Sequence, residues 1–161
     1  ASRPDIDAVI LTPHWGQEGS HVVDGRQKSL AKAAIEAGAA AVIGTHPHVL
    51  QPWSVITTDD GRDGLVIYST GNFVSNQRRL PERTGIIAII ELTREAGNKA
   101  RVTAARFIPT WVVIDGAGHR VVEMEKAGSG GALASALRIL PGDNRIGARD
   151  AIDRKLVTCG S

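Results

Sequence analysis

Two short stretches decide the fold of this chain: DAVILT at residues 7–12 and DGRQKSLAKAAIEAGAAAVIG at residues 24–44. The first is an apolar run of strand length, and the second opens with a helix-capping aspartate, Asp24, followed by apolar residues at helical spacing. A helix is predicted over residues 25–37, ended by a glycine, and the apolar residues 39–44 predict a second strand. The order strand, helix, strand predicts a βαβ unit.

The βαβ unit predicts where the side chains that follow each strand lie. A crossover of this length makes the two strands parallel, and adjacent strands lie about 4.8 Å apart, so their carboxyl ends share one edge of the sheet. His14 follows the first strand and His46 follows the second. Ligands of open α/β sheets bind at this edge, and the two histidine loops are therefore expected to converge there.

A third histidine, His48, lies two residues after His46 and can add another imidazole at this edge of the sheet. Pro47 disfavours helical backbone for the residue before it, so an extended conformation is predicted for His46. Residues two apart in an extended chain point to the same side, so both imidazoles can face one point with His14 as a third ligand. Neutral imidazole binds Zn, Fe and Mn, which makes a metal site the functional interpretation. An ordinary hydrogen-bonded pair of surface histidines is the alternative, and spacing alone leaves it open.

The rest of the chain is rich in predicted strands, with one clear helix near its end. A run of strands without intervening helices predicts antiparallel or mixed pairing within an α/β fold. A helix is predicted from Ser129 to the Pro141-Gly142 pair, and a weaker one near residues 149–157. The predicted strands are residues 55–58, 65–69, 85–93, 102–108 and 111–115, with turns at 59–64 and 116–118.

The composition is that of an ordinary globular domain. The chain is 42% hydrophobic and 22% charged, and its apolar runs are far shorter than the roughly 20 residues that cross a bilayer. The formal net charge is +2, with basic residues dispersed among acidic ones, so no nucleic-acid partner is expected. The single cysteine, Cys159, cannot form a disulfide within the chain, so cysteine content does not indicate the compartment. The first strand begins with almost no lead-in, which suggests a piece of a longer protein.

Three motifs give the chain a family resemblance that covers about residues 5–93. They are HWGQE at residues 14–18, GTHPHVLQ at residues 44–51 and IYSTGNFV at residues 67–74. In this order and spacing they resemble the CapA family of poly-γ-glutamate capsule biosynthesis proteins, a family that is itself similar to the calcineurin-like metallophosphoesterases. Beyond residue 93 the resemblance is faint.

The resemblance implies a two-metal site in an αββα sandwich. It makes His14, His46 and His48 the expected ligands of divalent ions, two in the full-length protein, with Mn, Fe or Zn as the candidates. The motifs that carry the aspartates and the bridging carboxylate lie upstream in that superfamily. The chain is therefore expected to be the C-terminal half of such a domain over residues 1–125, followed by a helical extension over residues 126–161, with the N-terminal half missing.

Three further side chains are candidate site residues, and each has a simpler alternative. Glu18 can act in catalysis by orienting a ligand histidine or protonating a leaving group, or it can be a solvated loop carboxylate. Asn72 can offer its amide to substrate or metal, although Gly-Asn is also common turn chemistry. Arg78, with Arg79 and Arg83, can attract an anionic polymer or a phosphate, or belong to an ordinary soluble loop.

Two functions follow from these observations. The leading hypothesis is a fragment of a metal-dependent, phosphoesterase-like hydrolase associated with poly-γ-glutamate capsule synthesis, inactive by itself because half of the ligands are absent. The alternative is a non-catalytic accessory subunit that uses the same fold to bind the polymer or the subunits of a membrane synthase. By resemblance, the full-length protein is expected to be membrane-associated and extracytoplasmic.

Overall fold

The computed structural model describes residues 5–127, 129 and 131–146, and its architecture is mixed α/β, built on two sheets. The first sheet contains β1 (Ile10–Leu11), β2 (Ala41–Ile43), β3 (Leu50–Thr57) and β4 (Asp63–Thr70). The second contains β5 (Thr84–Thr93), β6 (Arg101–Asp115) and β7 (Gly118–Glu123). The helices are α1 (Gly25–Glu36) and α2 (Ala132–Leu137), with 3₁₀ turns at Leu80–Arg83 and Gly142–Asn144. The α/β fold class predicted from the sequence is confirmed.

The first sheet contains the predicted βαβ unit. Its strand order is β1-β2-β4-β3, with β1, β2 and β4 parallel and β3 antiparallel to β4. Helix α1 begins with a full capping box, in which the Asp24 carboxylate accepts from the Gln27 backbone N–H and the Gln27 side chain accepts from the Asp24 N–H. The helix packs Ala31 and Ile35 against the outer face of the sheet, because apolar residues recur there at helical spacing.

Strand β1 differs from the prediction. The apolar run at residues 7–12 was expected to be a buried strand, yet only Ile10 and Leu11 pair with β2, and each side chain is 42% exposed. The reason is position, because β1 lies at the edge of the sheet and an edge strand is covered less than a central one. An apolar run in the sequence carries no information about whether its strand is central.

The second sheet is antiparallel throughout, as a run of strands without helices predicted. Strand β6 is one continuous strand of 15 residues, although Pro109 divided it into two in the sequence pattern. Pro109 lies opposite Ile86 of β5, just before the segment of β6 that pairs with β7. Strand β7 was not predicted, because its sequence GHRVVE is largely polar and follows a turn.

The main core lies between the two sheets. Leu50 and Ile67 of the first sheet form one buried cluster with Phe107 of the second, and Ala132 and Ala136 of α2 belong to the same cluster. Helix α2 lies inside the range predicted for it, whereas the helix predicted near residues 149–157 falls outside the described residues. In the described part of the chain, no helix has the length and apolarity of a membrane span.

Gly44, the residue directly after β2, has no room for a side chain. A β-carbon built on Gly44 would lie 2.1 Å from the Tyr68 carbonyl oxygen and 2.2 Å from the Trp15 indole nitrogen. The Gly44→Ala substitution is therefore expected to lower the free energy of unfolding by about 1–3 kcal/mol or more, because backbone must move to admit the methyl group. Urea unfolding measures this change.

The Gly25→Ala variant is the matched control, because a β-carbon there meets no atom within 4 Å. It is expected to leave stability unchanged or to raise it slightly. Equal stabilities of the two variants would contradict the close approach at Gly44.

Candidate metal centre

The two histidine loops continue the parallel pairing of β1 and β2 past the strand ends. Thr45 donates its N–H to the Pro13 carbonyl at 3.0 Å, and Trp15 donates its N–H to the Thr45 carbonyl at 3.1 Å. His14 and Thr45 consequently form a parallel bridge. This pairing brings the rings of His14 and His46 to a centroid separation of 4.3 Å.

A group of possible metal ligands forms at this edge of the sheet. The ring centroids of His46 and His48 lie 6.2 Å apart, so His46 neighbours both His14 and His48. Glu18 completes the group, with its Oε1 3.8 Å from His48 Nε2. The ligand atoms of Glu18, His46 and His48 all lie within 4.8 Å of one another. Both of these histidines are half-buried, whereas Glu18 and His14 are exposed.

The backbone at His46 and His48 does not have the extended conformation predicted for it. Both residues have positive φ angles, +100° at His46 and +60° at His48. Residues other than glycine rarely adopt a positive φ. Each residue that does so destabilises the folded state by of order 1–3 kcal/mol. Proline restricts the preceding residue sterically, but the contacts of the surrounding loops decide this bend. Gly19 holds it by donating its N–H to the Pro47 carbonyl at 2.8 Å.

Two fully buried glutamines tie the first histidine loop to β3. The Gln27 amide nitrogen donates to Gln51 Oε1 at 2.8 Å, and the Gln51 amide nitrogen donates to the carbonyls of Ser20 and Val22 at 2.9 and 3.1 Å. The side chains of Gln27 and Gln51 are 1% and 0% exposed. A buried amide without partners would be costly, so this network fixes the loop. The sequence pattern did not predict this buried contact between Gln27 and Gln51.

The tryptophans beside the histidine loops serve packing. Trp15 is buried, donates its indole N–H to the Tyr68 carbonyl at 2.8 Å and stacks on the Tyr68 ring at 6.0 Å. Trp53 lies edge-on to Phe107 at 5.5 Å, in the core. A third neighbour, His21, places Nδ1 2.6 Å from the Leu50 carbonyl oxygen.

Asn72 lies on the inner side of the site. Its side chain is 9% exposed, and its Oδ1 is 2.8 Å from His48 Nδ1. Its Nδ2 donates to Gln77 Oε1 and to the Glu82 backbone carbonyl, both at 2.8 Å. The contact of Asn72 with His48 was not predicted, because β4 had to be placed beside β2 before the two residues could meet. Substrate binding by Asn72 stays a prediction.

The arginine cluster separates into different environments. Arg78 is exposed, and its predicted substrate binding stays a prediction. Arg79 forms an ion pair with Glu82, a buried carboxylate. Arg83 donates to the Val112 carbonyl at 2.8 Å and lies over the Trp111 ring at 4.2 Å. Two of the three arginines therefore stabilise the loop that follows Asn72.

The carboxyl group of Glu82, which pairs with Arg79, has a lowered pKa. The Arg79 guanidinium hydrogen-bonds Glu82 and holds the pKa of that carboxyl below its ordinary value, against the opposing effect of burial. His48 contributes a smaller effect in the same direction.

The donor set fits one transition-metal ion. Ligand atoms around a tetrahedral ion lie about 3.4 Å apart when the metal–nitrogen distance is near 2.1 Å, which side-chain rotation within the observed 4.8 Å limit can reach. Two imidazole nitrogens and a carboxylate oxygen suit Zn, Mn or Fe. Among the described residues, no other group of three histidine, cysteine or acidic side chains brings its ligand atoms this close. Those residues therefore provide one incomplete ion site.

Comparison with known proteins shows which proteins the chain is similar to. A family model described as bacterial capsule synthesis protein PGA_cap matches residues 1–77, the part that contains all the histidines of the site. The chain is 34% identical to the capsule biosynthesis protein CapA of Bacillus anthracis, over 64% of this chain and 27% of the relative. It is 38% identical to the PGA biosynthesis protein CapA of Bacillus subtilis (strain 168), over 63% of this chain and 26% of the relative.

The chain is similar to the CapA family over its first 77 residues, the region in which its three motifs predicted the resemblance. It spans about a quarter of the length of these curated relatives.

The positive φ angle of His46 generates the second prediction. Glycine tolerates a φ of +100° and alanine does not, so the His46→Gly variant is expected to be more stable than His46→Ala by about 1–3 kcal/mol. Urea unfolding of the two variants measures the difference.

Thr45 provides the matched control pair, because it is the exposed neighbour and is not among the residues with positive φ. There the glycine variant is expected to be the less stable one. A glycine variant at position 46 that is no more stable than the alanine variant would remove the argument for strain.

The ion pair below the site generates the third prediction. Because the pKa of Glu82 is lowered by folding, its contribution to stability is present above the unfolded-state pKa of about 4.3 and is lost as the pH falls through the lower folded-state value. The Arg79→Gln substitution is expected to lower the free energy of unfolding at pH 7 only slightly, since Arg79 is largely exposed, and to flatten the fall of that free energy below pH 5.

Chemical unfolding at pH 7 and at pH 3.5 tests both effects, with the exposed Arg78→Gln variant as control. An unaltered pH dependence in Arg79→Gln would show that the pair does not set the pKa of Glu82.

Proposed function

We propose that this chain carries the histidine ligands of a metal-dependent, phosphoesterase-like hydrolase that takes part in poly-γ-glutamate capsule synthesis. The names of the two Bacillus relatives support the link to the capsule polymer. The observation that carries the chemical part is the convergence of the ligand atoms of Glu18, His46 and His48 where parallel strands end, with the His14 ring against His46. Parallel sheets bind ligands at this edge.

The side chains of this group have distinct tasks in the proposal. His46 and His48 hold a divalent ion, Mn, Fe or Zn, and His14, which stands against His46, is the third imidazole. When bound, such an ion polarises a phosphoryl oxygen and lowers the pKa of a water molecule. Glu18, exposed and 3.8 Å from His48, either binds the ion or exchanges a proton at the solvent side of the site.

The described residues supply a single carboxylate to the group, and a two-metal hydrolase needs more. We therefore propose that another part of the protein provides the remaining ligands. Weak metal binding and no turnover are expected of residues 1–161 alone. The same observation supports the second candidate function, a non-catalytic accessory subunit that binds an anionic polymer or the subunits of a membrane synthase outside the cytoplasm.

Metal titration of the chain is the fourth prediction. Calorimetric titration with Zn²⁺ and Mn²⁺ is expected to give a weak, single-site isotherm, and His46→Ala is expected to weaken binding at least tenfold because it removes one of the two imidazoles of the ligand group. The His119→Ala variant is the matched control, since His119 lies on β7 and bonds to Asn76 instead. Binding that is unaffected by His46→Ala would reject the site.

Hydrolysis of a generic phosphodiester separates the two functions. It is measured in a longer protein that contains this chain together with the carboxylate-bearing part of the domain. Turnover that is lost in His46→Ala supports the hydrolase, whereas metal binding without turnover supports the accessory subunit. Robust turnover by residues 1–161 alone would contradict the proposal that the remaining metal ligands come from another part of the protein.

A further inference from the structure

The hydrogen bonds of Asn72 determine which way its amide group faces. Nδ2 lies 2.8 Å from the backbone carbonyl oxygen of Glu82, an atom that can only accept. The amide nitrogen must therefore face Glu82, and Oδ1 must face His48. The second partner of Nδ2, Gln77 Oε1, agrees with this orientation. A flipped amide would bring two acceptors together, Asn72 Oδ1 and the Glu82 carbonyl oxygen.

The orientation of the amide determines the tautomer of His48. An amide oxygen accepts and never donates, so Nδ1 of His48, at 2.8 Å, must carry the proton. In a neutral ring the other nitrogen then holds a lone pair. That nitrogen, Nε2, is the one that faces Glu18 across 3.8 Å at the candidate site. The backbone carbonyl of Glu82 therefore selects the state of the imidazole through Asn72.

The backbone of Asn72 is held too tightly for the amide to drift. The preceding residue, Gly71, has a φ of +68° and forms a bridge with Gly85, and the Asn72 N–H bonds to the Thr84 carbonyl at 3.3 Å. A β-carbon on Gly85 would lie 2.0 Å from the Asn72 carbonyl oxygen. Two glycines thus allow the end of β4 to press against the start of β5. This contact fixes the backbone that carries the Asn72 side chain.

We propose that Asn72 is a positioning residue that fixes His48 as the Nδ1–H tautomer and so presents the Nε2 lone pair to the site. The amide has no N–H left to donate to a substrate, because its nitrogen serves Gln77 and Glu82, and its oxygen already faces His48. What Nε2 then binds, a metal ion, rests on the proposed function. The tautomer itself does not.

Nitrogen NMR of the metal-free chain tests the tautomer directly. Long-range ¹H–¹⁵N spectra of histidine-labelled chain at pH 8, with the His48 signals assigned from a His48→Gln variant, are expected to show the Nδ1–H form. Asn72→Ala is expected to bring in the Nε2–H form. Asn72→Asp retains an accepting oxygen on the His48 side and is expected to keep Nδ1–H, in a less stable chain because its second oxygen faces the Glu82 carbonyl. Gln77→Ala, which loosens the amide without touching His48, is the matched control and is expected to change nothing.

The native chain alone is sufficient to overturn the proposal, which fails if His48 is found as Nε2–H. It fails equally if Asn72→Ala leaves a folded chain with the Nδ1–H form intact. Zn²⁺ titration of the same variants is expected to show a 10–100-fold loss of affinity in Asn72→Ala and a smaller loss in Asn72→Asp. A native chain with the Nδ1–H form but no metal binding would reject the proposed function and leave the positioning role of Asn72 standing.

Discussion

The parallel pairing of β2 with β1 on one side and β4 on the other is the constraint on which the site depends. Three parallel neighbours end at the same edge, so the loops that follow them must share the same space. His14 comes from the first of these loops, His46 and His48 from the second and Asn72 from the third. A strand running in the opposite direction at any of these positions would place the loop that follows it at the opposite edge of the sheet.

The second histidine loop combines strain with rigid support. His46 and His48 both have positive φ angles, which persist because backbone and side chains around them leave little choice. Gly19 binds the Pro47 carbonyl from one side, and the buried amides of Gln27 and Gln51 fix the loop that carries Gly19. Strained residues gather where a fold holds functional groups, and the two strained residues here are both candidate metal ligands.

The candidate site is coherent in structure and incomplete in chemistry. Two imidazoles converge and the tautomer of one of them is determined, yet Glu18 is the single carboxylate in this ligand group among the described residues. Similarity to CapA proteins, of whose length the chain spans about a quarter, agrees with a site that other parts of a longer chain complete. Side chains that are already held rigidly lose less conformational entropy when they bind an ion. This partial set of ligands would therefore favour binding once the remaining ligands are supplied.

The sequence by itself determined the βαβ unit, the antiparallel character of the later strands and the meeting of His14 with His46, because hydrophobic periodicity and strand direction are local or topological properties. It did not determine that β1 lies at an edge, that β6 runs unbroken through Pro109 or that the His46 backbone bends to positive φ. Nor did it determine that Asn72 bonds to His48 and Glu82. Each of these outcomes depends on which segments distant in sequence pack together, and such contacts override the conformational preferences of single residues, so only the tertiary structure decided them.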